Sequence, residues 1–183
     1  ADIIHQNVDL KAHGDYEIVY GDEKSVLRDG EELKLTTLSK ELAEERVILT
    51  PQSENSRLEV CSIERNYGVP VYAGRIEVLK DSGGLIVIND LNLETYLYSV
   101  VPSEMPASYE MEALKAQAVC ARSYAYRQIL LNGYASYGAH VDDSVSYQVY
   151  NNLTTNNKVI QAVNETAGQV LKFGEEVATT YYF

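Results

Sequence analysis

The stretch from Val100 to Tyr126, VVPSEMPASYEMEALKAQAVCARSYAY, constrains this chain more than any other, because two prolines bracket an acid just ahead of its longest helical pattern. Pro102 and Pro106 each lack an N–H and push the preceding residue toward extended backbone, so Glu104 is expected in a stiff turn outside the helix. Ser108 reads as the N-cap, and Glu110 and Glu112 stand where the helix dipole favours negative charge. The pattern runs to about Leu131 and is stopped by Asn132-Gly133. Along it Lys115, Arg122 and Tyr126 follow at i, i+7 and i+11, one stripe at 3.6 residues per turn. On spacing alone the plainer reading is a surface helix with snorkelling basic side chains and a solvated glutamate.

Around this segment the pattern predicts an α+β fold, mixed strands and hairpins with one long Ala-rich helix. Residues 16–20 and 32–38 alternate as strands between the turn signals Gly21-Asp22 and Asp29-Gly30, and residues 38–46 allow a short helix. Strands over 47–50 and 57–64 flank the polar turn 51–55. Residues 71–79 and 85–89 form the clearest hairpin, joined through Asp81-Ser82-Gly83-Gly84. Leu93, Tyr96, Leu97 and Val100 recur at helical spacing and place a short helix over 91–100 that delivers Glu104. Beyond the long helix, a loop from Tyr134 ends in a strand expected to carry Tyr147 and Tyr150 on one face. Asn156 caps a further helix to about Ala167, and a last hairpin turns about Gly174-Glu175.

The formal net charge of −12 argues against nucleic acid, whose readers gain most of their affinity from clustered cations. No apolar run is long enough to span a bilayer and no signal peptide precedes Ala1, which reads as a soluble fragment or a mature form. Cys61 and Cys120 have no CxxC partner, and His140 beside Asp142 and Asp143 reads as a loop, so nothing has the spacing of a metal site and no cofactor is called for. Fifteen tyrosines against two phenylalanines and no tryptophan suit a glycan groove, and equally an ordinary sheet surface.

The run Val101-Pro102-Ser103-Glu104-Met105-Pro106, then 112–119 (EALKAQAV) and 121–125 (ARSYA), closely resembles the stage II sporulation protein D family, which includes amidase-enhancer proteins. The resemblance resumes at 142–150 (DDSVSYQVY) and 162–171 (AVNETAGQVL). It implies a catalytic domain over 69–183 behind a β-rich region over 1–68. It further implies a lytic transglycosylase of bacterial peptidoglycan glycan strands, with Glu104 as the catalytic acid and an extracytoplasmic place in the cell envelope, membrane-anchored or secreted. Partners implied are the glycan strands, a cell-wall amidase or the sporulation engulfment proteins. On this reading Lys115, Arg122, Tyr126, Tyr147, Gln148 and Tyr150 contact substrate. Two rivals stand beside it: a non-catalytic cell-wall-binding module that enhances an amidase, and a hydrolase with Asp142 or Asp143 as its second carboxylate. Glu94 is a rival acid, expected instead to partner the helix dipole.

Overall fold

The computed structural model describes residues 4–182 apart from 45, 66, 145 and 154. The fold is α+β, and the chain divides into two compact units at Leu91/Asn92.

The first unit is built of antiparallel strands. One sheet runs β4 (Glu32–Thr36), β1 (Asn7–His13), β6 (Arg57–Val60), β7 (Val71–Tyr72); the other runs β3 (Glu23–Leu27), β2 (Tyr16–Tyr20), β5 (Arg46–Pro51), β8 (Arg75–Asp81), β9 (Gly84–Asp90). Side chains alternate across each strand, so Val8, Leu10 and Ala12 of β1 join Ile18, Val47, Leu49, Ile76 and Val78 in one buried cluster. The hairpin β8–β9 closes on Asp81↔Gly84. Gly84 is required there, since it has φ 151° and a Cβ would lie 2.5 Å from the His5 carbonyl oxygen. In place of the short helix expected over 38–46, the described residues show a 3-10 turn, Lys40–Leu42, and β5 starts at Arg46.

Three helices dominate the second unit: α1 (Leu93–Glu104), α2 (Met111–Leu131) and α3 (Asn157–Glu165). Asn92 caps α1, its side chain accepting from Thr95 N at 2.8 Å. Asn156 caps α3 in the same way, accepting from Lys158 N. Leu97, Val100 and Val101 of α1, Leu114, Ala118 and Ala121 of α2, and Val159, Ala162 and Val163 of α3 are fully buried together. The alanines let the backbones approach closely. The N-cap of α2 is Glu110 rather than the expected Ser108, because Tyr109 N is bonded back to Pro106 O in a turn. It ends at Asn132, which itself takes the left-handed conformation. A two-strand hairpin, β10 (Lys172–Phe173) and β11 (Glu176–Val177), follows α3. Among the described residues no helix is long and apolar enough to cross a membrane.

Two local expectations are corrected here. Glu104 is not in a turn outside a helix: it is the last residue of α1, and Pro102 lies inside that helix. A proline inside a helix loses its own N–H bond and crowds the carbonyl four residues back, yet α1 carries Pro102 two residues before its end, whereas Pro106 forces Met105 to extended backbone (φ −135°, ψ 121°) and sets the stop. Residues 147–150 form no strand, and Tyr147 and Tyr150 have separate neighbours. In extended chain, residues three apart point to opposite faces. Glu45 of the expected short helix, Val145 of the family-like run 142–150 and Phe183 at the end of the last expected strand lie outside the described residues.

Candidate active site

At the end of α1 the backbone of residues 149–151 is laced to the helix. Val149 N–H donates to Glu104 Oε1 at 2.9 Å. Asn151 N–H donates to Ser103 Oγ at 3.1 Å, while that hydroxyl donates to Ser99 O one turn back at 2.7 Å. The half-buried Glu104 carboxylate is therefore oriented by a backbone donor, and its second oxygen accepts nothing from the described residues.

Beside it lies a knot of phenols and one amide. Tyr96 stacks on Tyr150 with ring centroids 5.5 Å apart and an interplanar angle of 11°. Gln148, 1 % exposed, accepts from Tyr96 OH at 3.3 Å; its Nε2 donates to Ala121 O at 3.1 Å and to Tyr182 OH at 2.6 Å. Burial, with the neighbouring phenols and the Glu104 carboxylate, pushes the Tyr96 hydroxyl well up. Burial likewise pushes Tyr182 up to about 12; the Gln148 hydrogen bond opposes the rise and Glu104 adds to it. Both phenols stay neutral over the physiological range, so neither sets a second negative charge beside Glu104. Tyr96 was legible in the sequence only as an apolar helical position. Tyr182 gave no signal, because its placement depends on the chain returning past α2.

The basic stripe is real as spacing, but it faces α3. Arg122 is 1 % exposed; Nε and Nη2 bind Glu94 Oε1 and Oε2 at 2.9 and 2.6 Å. Nη2 also donates to Val163 O at 3.1 Å, and Nη1 to Gln169 O at 3.2 Å. Glu94 Oε1 accepts in addition from Gly168 N at 3.2 Å. Arg122 is thus a buried strut between α1, α2 and the end of α3, which departs from the expectation of a ligand-facing position. The helical repeat gives a face; only packing says what covers it. Lys115 bridges Glu112 and Glu165 at 2.9 and 2.7 Å, and hydrogen bonds to Glu165 and then Glu112 raise its pKa. Tyr126 lies 40 % exposed near the far end of α2, beside the exposed Ile129 and Leu130.

Residues 134–144 and Tyr147 are tied to one another beyond the end of α2. Tyr134 packs against Tyr147 at 5.8 Å and donates to Asp142 Oδ2 at 2.7 Å, and Ser144 N–H donates to Asp142 Oδ1 at 2.8 Å. Burial opposes the Asp142 charge, but the bonds from Ser144 and Tyr134 outweigh it and hold the carboxyl below its ordinary value. That carboxylate is occupied in shaping the loop. Cys61 and Cys120 are free thiols. Among the described residues no group of three or more His, Cys, Asp or Glu is placed to hold a metal ion.

The model of the family described as Stage II sporulation protein matches residues 81–173, half of the chain. An amidase enhancer of Bacillus subtilis (strain 168) is 40% identical over 86 residues, covering 47% of this chain and 11% of its own length. A stage II sporulation protein D of the same organism is 34% identical over 110 residues, 52% of this chain and 32% of its own. An uncharacterized protein of Brachyspira hyodysenteriae is 40% identical over 112 residues, 61% of this chain and 30% of its own. The matched stretch therefore spans a third or less of each of these relatives.

Proposed function

The chain belongs to the Stage II sporulation protein family, and from that premise we propose that it is a cell-wall lytic transglycosylase acting on peptidoglycan glycan strands outside the cytoplasm. The observation that carries this reading is the Glu104 carboxylate, fixed through one oxygen by Val149 N–H with the other oxygen unengaged by the described residues. A single positioned acid is what the chemistry requires. Glu104 protonates the glycosidic oxygen between N-acetylmuramic acid and N-acetylglucosamine, and the bond breaks as positive charge develops on the muramyl anomeric carbon. The Glu104 carboxylate then removes the proton of the muramyl 6-hydroxyl, which closes on that carbon. The product is a 1,6-anhydro end, no water is consumed, and the acid is restored. Phenols at Tyr96, Tyr150 and Tyr182 supply apolar faces and hydroxyls for sugar rings. In this reading Tyr147 and Tyr150 line the approach, and Gln148 acts by holding that wall rather than by touching substrate.

A second reading is favoured by the amidase enhancer among the relatives: a glycan-binding module that raises the activity of a cell-wall amidase without cutting the strand. Product analysis on purified, peptide-free glycan strands separates the readings. Anhydro ends from the wild type that disappear in Glu104→Gln support the transglycosylase. New reducing ends point to hydrolysis; binding without cleavage, together with stimulation of an added amidase, points to the enhancer.

A further inference from the structure

The face of α2 turned away from α3 carries one polar group with no use inside the protein. Gln117 is 9 % exposed, and its Nε2 is buried without a hydrogen-bond partner. Buried side-chain donors are almost always paired, and leaving one unpaired is costly, so such a group calls for a partner from outside the chain. Its surroundings say where that partner sits. Four residues on, Ala121 O holds Gln148; three on, Cys120 O accepts from Thr180 Oγ1; seven on, Tyr124 meets Tyr181 edge-on at 6.1 Å. Residues at these spacings share one side of a helix. That side is therefore the one roofed by 180–182 and by 148–149, the segments that hold Tyr182 and orient Glu104.

We propose that Gln117 is a specificity-determining contact that pairs with an acetamido group of the glycan bound at Glu104. This rests on the glycan-cleaving reading above and adds the feature of the sugar that is read. A primary amide and an acetamide are complementary, since Nε2 donates to the acetyl carbonyl while Oε1, which accepts from none of the described residues, takes the acetamido N–H. A de-N-acetylated sugar presents an ammonium instead, which can still donate to Oε1 but leaves Nε2 without an acceptor.

The test measures binding of fluorescently end-labelled, peptide-free glycan strands by anisotropy, using Glu104→Gln protein so that the strand stays intact. Fully N-acetylated strands and chemically de-N-acetylated strands are compared. The acidic chain attracts a polycation regardless, so the quantity read is the change on mutation. Gln117→Leu should weaken binding of N-acetylated strands about tenfold, the worth of one buried amide pair, and weaken de-N-acetylated binding less. Gln117→Glu, which keeps the shape but not the donor, should weaken N-acetylated binding likewise and, by setting a carboxylate against the ammonium, tighten binding of de-N-acetylated strands. Because leucine replaces an unpartnered donor, the thermal midpoint of Gln117→Leu should be unchanged or higher. Equal weakening of both strands, a fall in the midpoint, or unchanged binding of N-acetylated strands would overturn the assignment and leave the glycan reading standing. If the parent protein binds neither strand, the proposed function itself fails, and Gln117 with it.

Discussion

Removing the Arg122 guanidinium tests the architecture most directly, because one side chain ties three helices together. In Arg122→Ala the Glu94 carboxylate loses a bidentate partner, and the carbonyls of Val163 and Gln169 lose their donors. Breaking a buried ion pair from one side costs about 3–5 kcal/mol. Glu94 keeps water access at 30 % exposure, so the low end, about 3 kcal/mol, applies. One kcal/mol shifts the melting midpoint by about 4–8 °C in a domain of up to 100 residues and by about 2–4 °C in one near 200. The loss is therefore about 12–24 °C if the second unit melts alone and about 6–12 °C if the chain melts as one. Far-UV circular dichroism at a helix wavelength follows it. Adding Glu94→Gln to Arg122→Ala should return part of the loss, since the stranded charge is gone. A midpoint within 2 °C of the wild type (about the shift from less than 1 kcal/mol) would refute the strut. So would loss of glycan cleavage with stability intact, which would make Arg122 a substrate contact.

The other outcomes are narrower. Glu104→Gln keeps shape and loses the proton, so cleavage should fall roughly 10²–10⁴-fold or below detection while glycan binding, measured by strand retention, persists; cleavage at the wild-type rate would dismiss the assigned acid. Lys115→Ala should leave the melting midpoint nearly unchanged, as its partners Glu112 and Glu165 are solvated; a large drop in scanning calorimetry would contradict that. Asp142 has a depressed carboxyl, so its support for residues 134–144 is present above the unfolded aspartate value of about 3.9 and is lost as pH falls through the lower folded value. Near-UV tyrosine dichroism should report this acid limb, and Asp142→Asn should abolish it. Tyr134 runs the opposite way: its hydrogen bond to Asp142, then burial, raise its pKa, so its support is complete below about pH 10 and is lost as pH rises through the folded value.

Much of this protein is written locally. The strand over 16–20, the hairpin about residues 81–84, the Asn156 cap and the stop at Asn132 follow from propensity, turn chemistry and period, which act over a few residues. The residues of the family motif were likewise legible, and with them Glu104. What the chain could not announce was what each face would meet. Arg122 lies on the same stripe as Lys115 and Tyr126, yet α3 buries the first, leaves an ion-paired place for the second and does not reach the third. Both prolines were expected to pull the preceding residue into extended backbone; Pro106 does so at Met105, whereas Val101 before Pro102 stays helical, and that is why α1 reaches Glu104. The loop 147–151 looked like a strand because alternation is visible in sequence. Its hydrogen bonds went instead to Glu104 and Ser103, groups 45 and 48 residues away. Periodicity determines which side chains share a face; only the long-range return of the chain determines whether that face becomes core, strut or site.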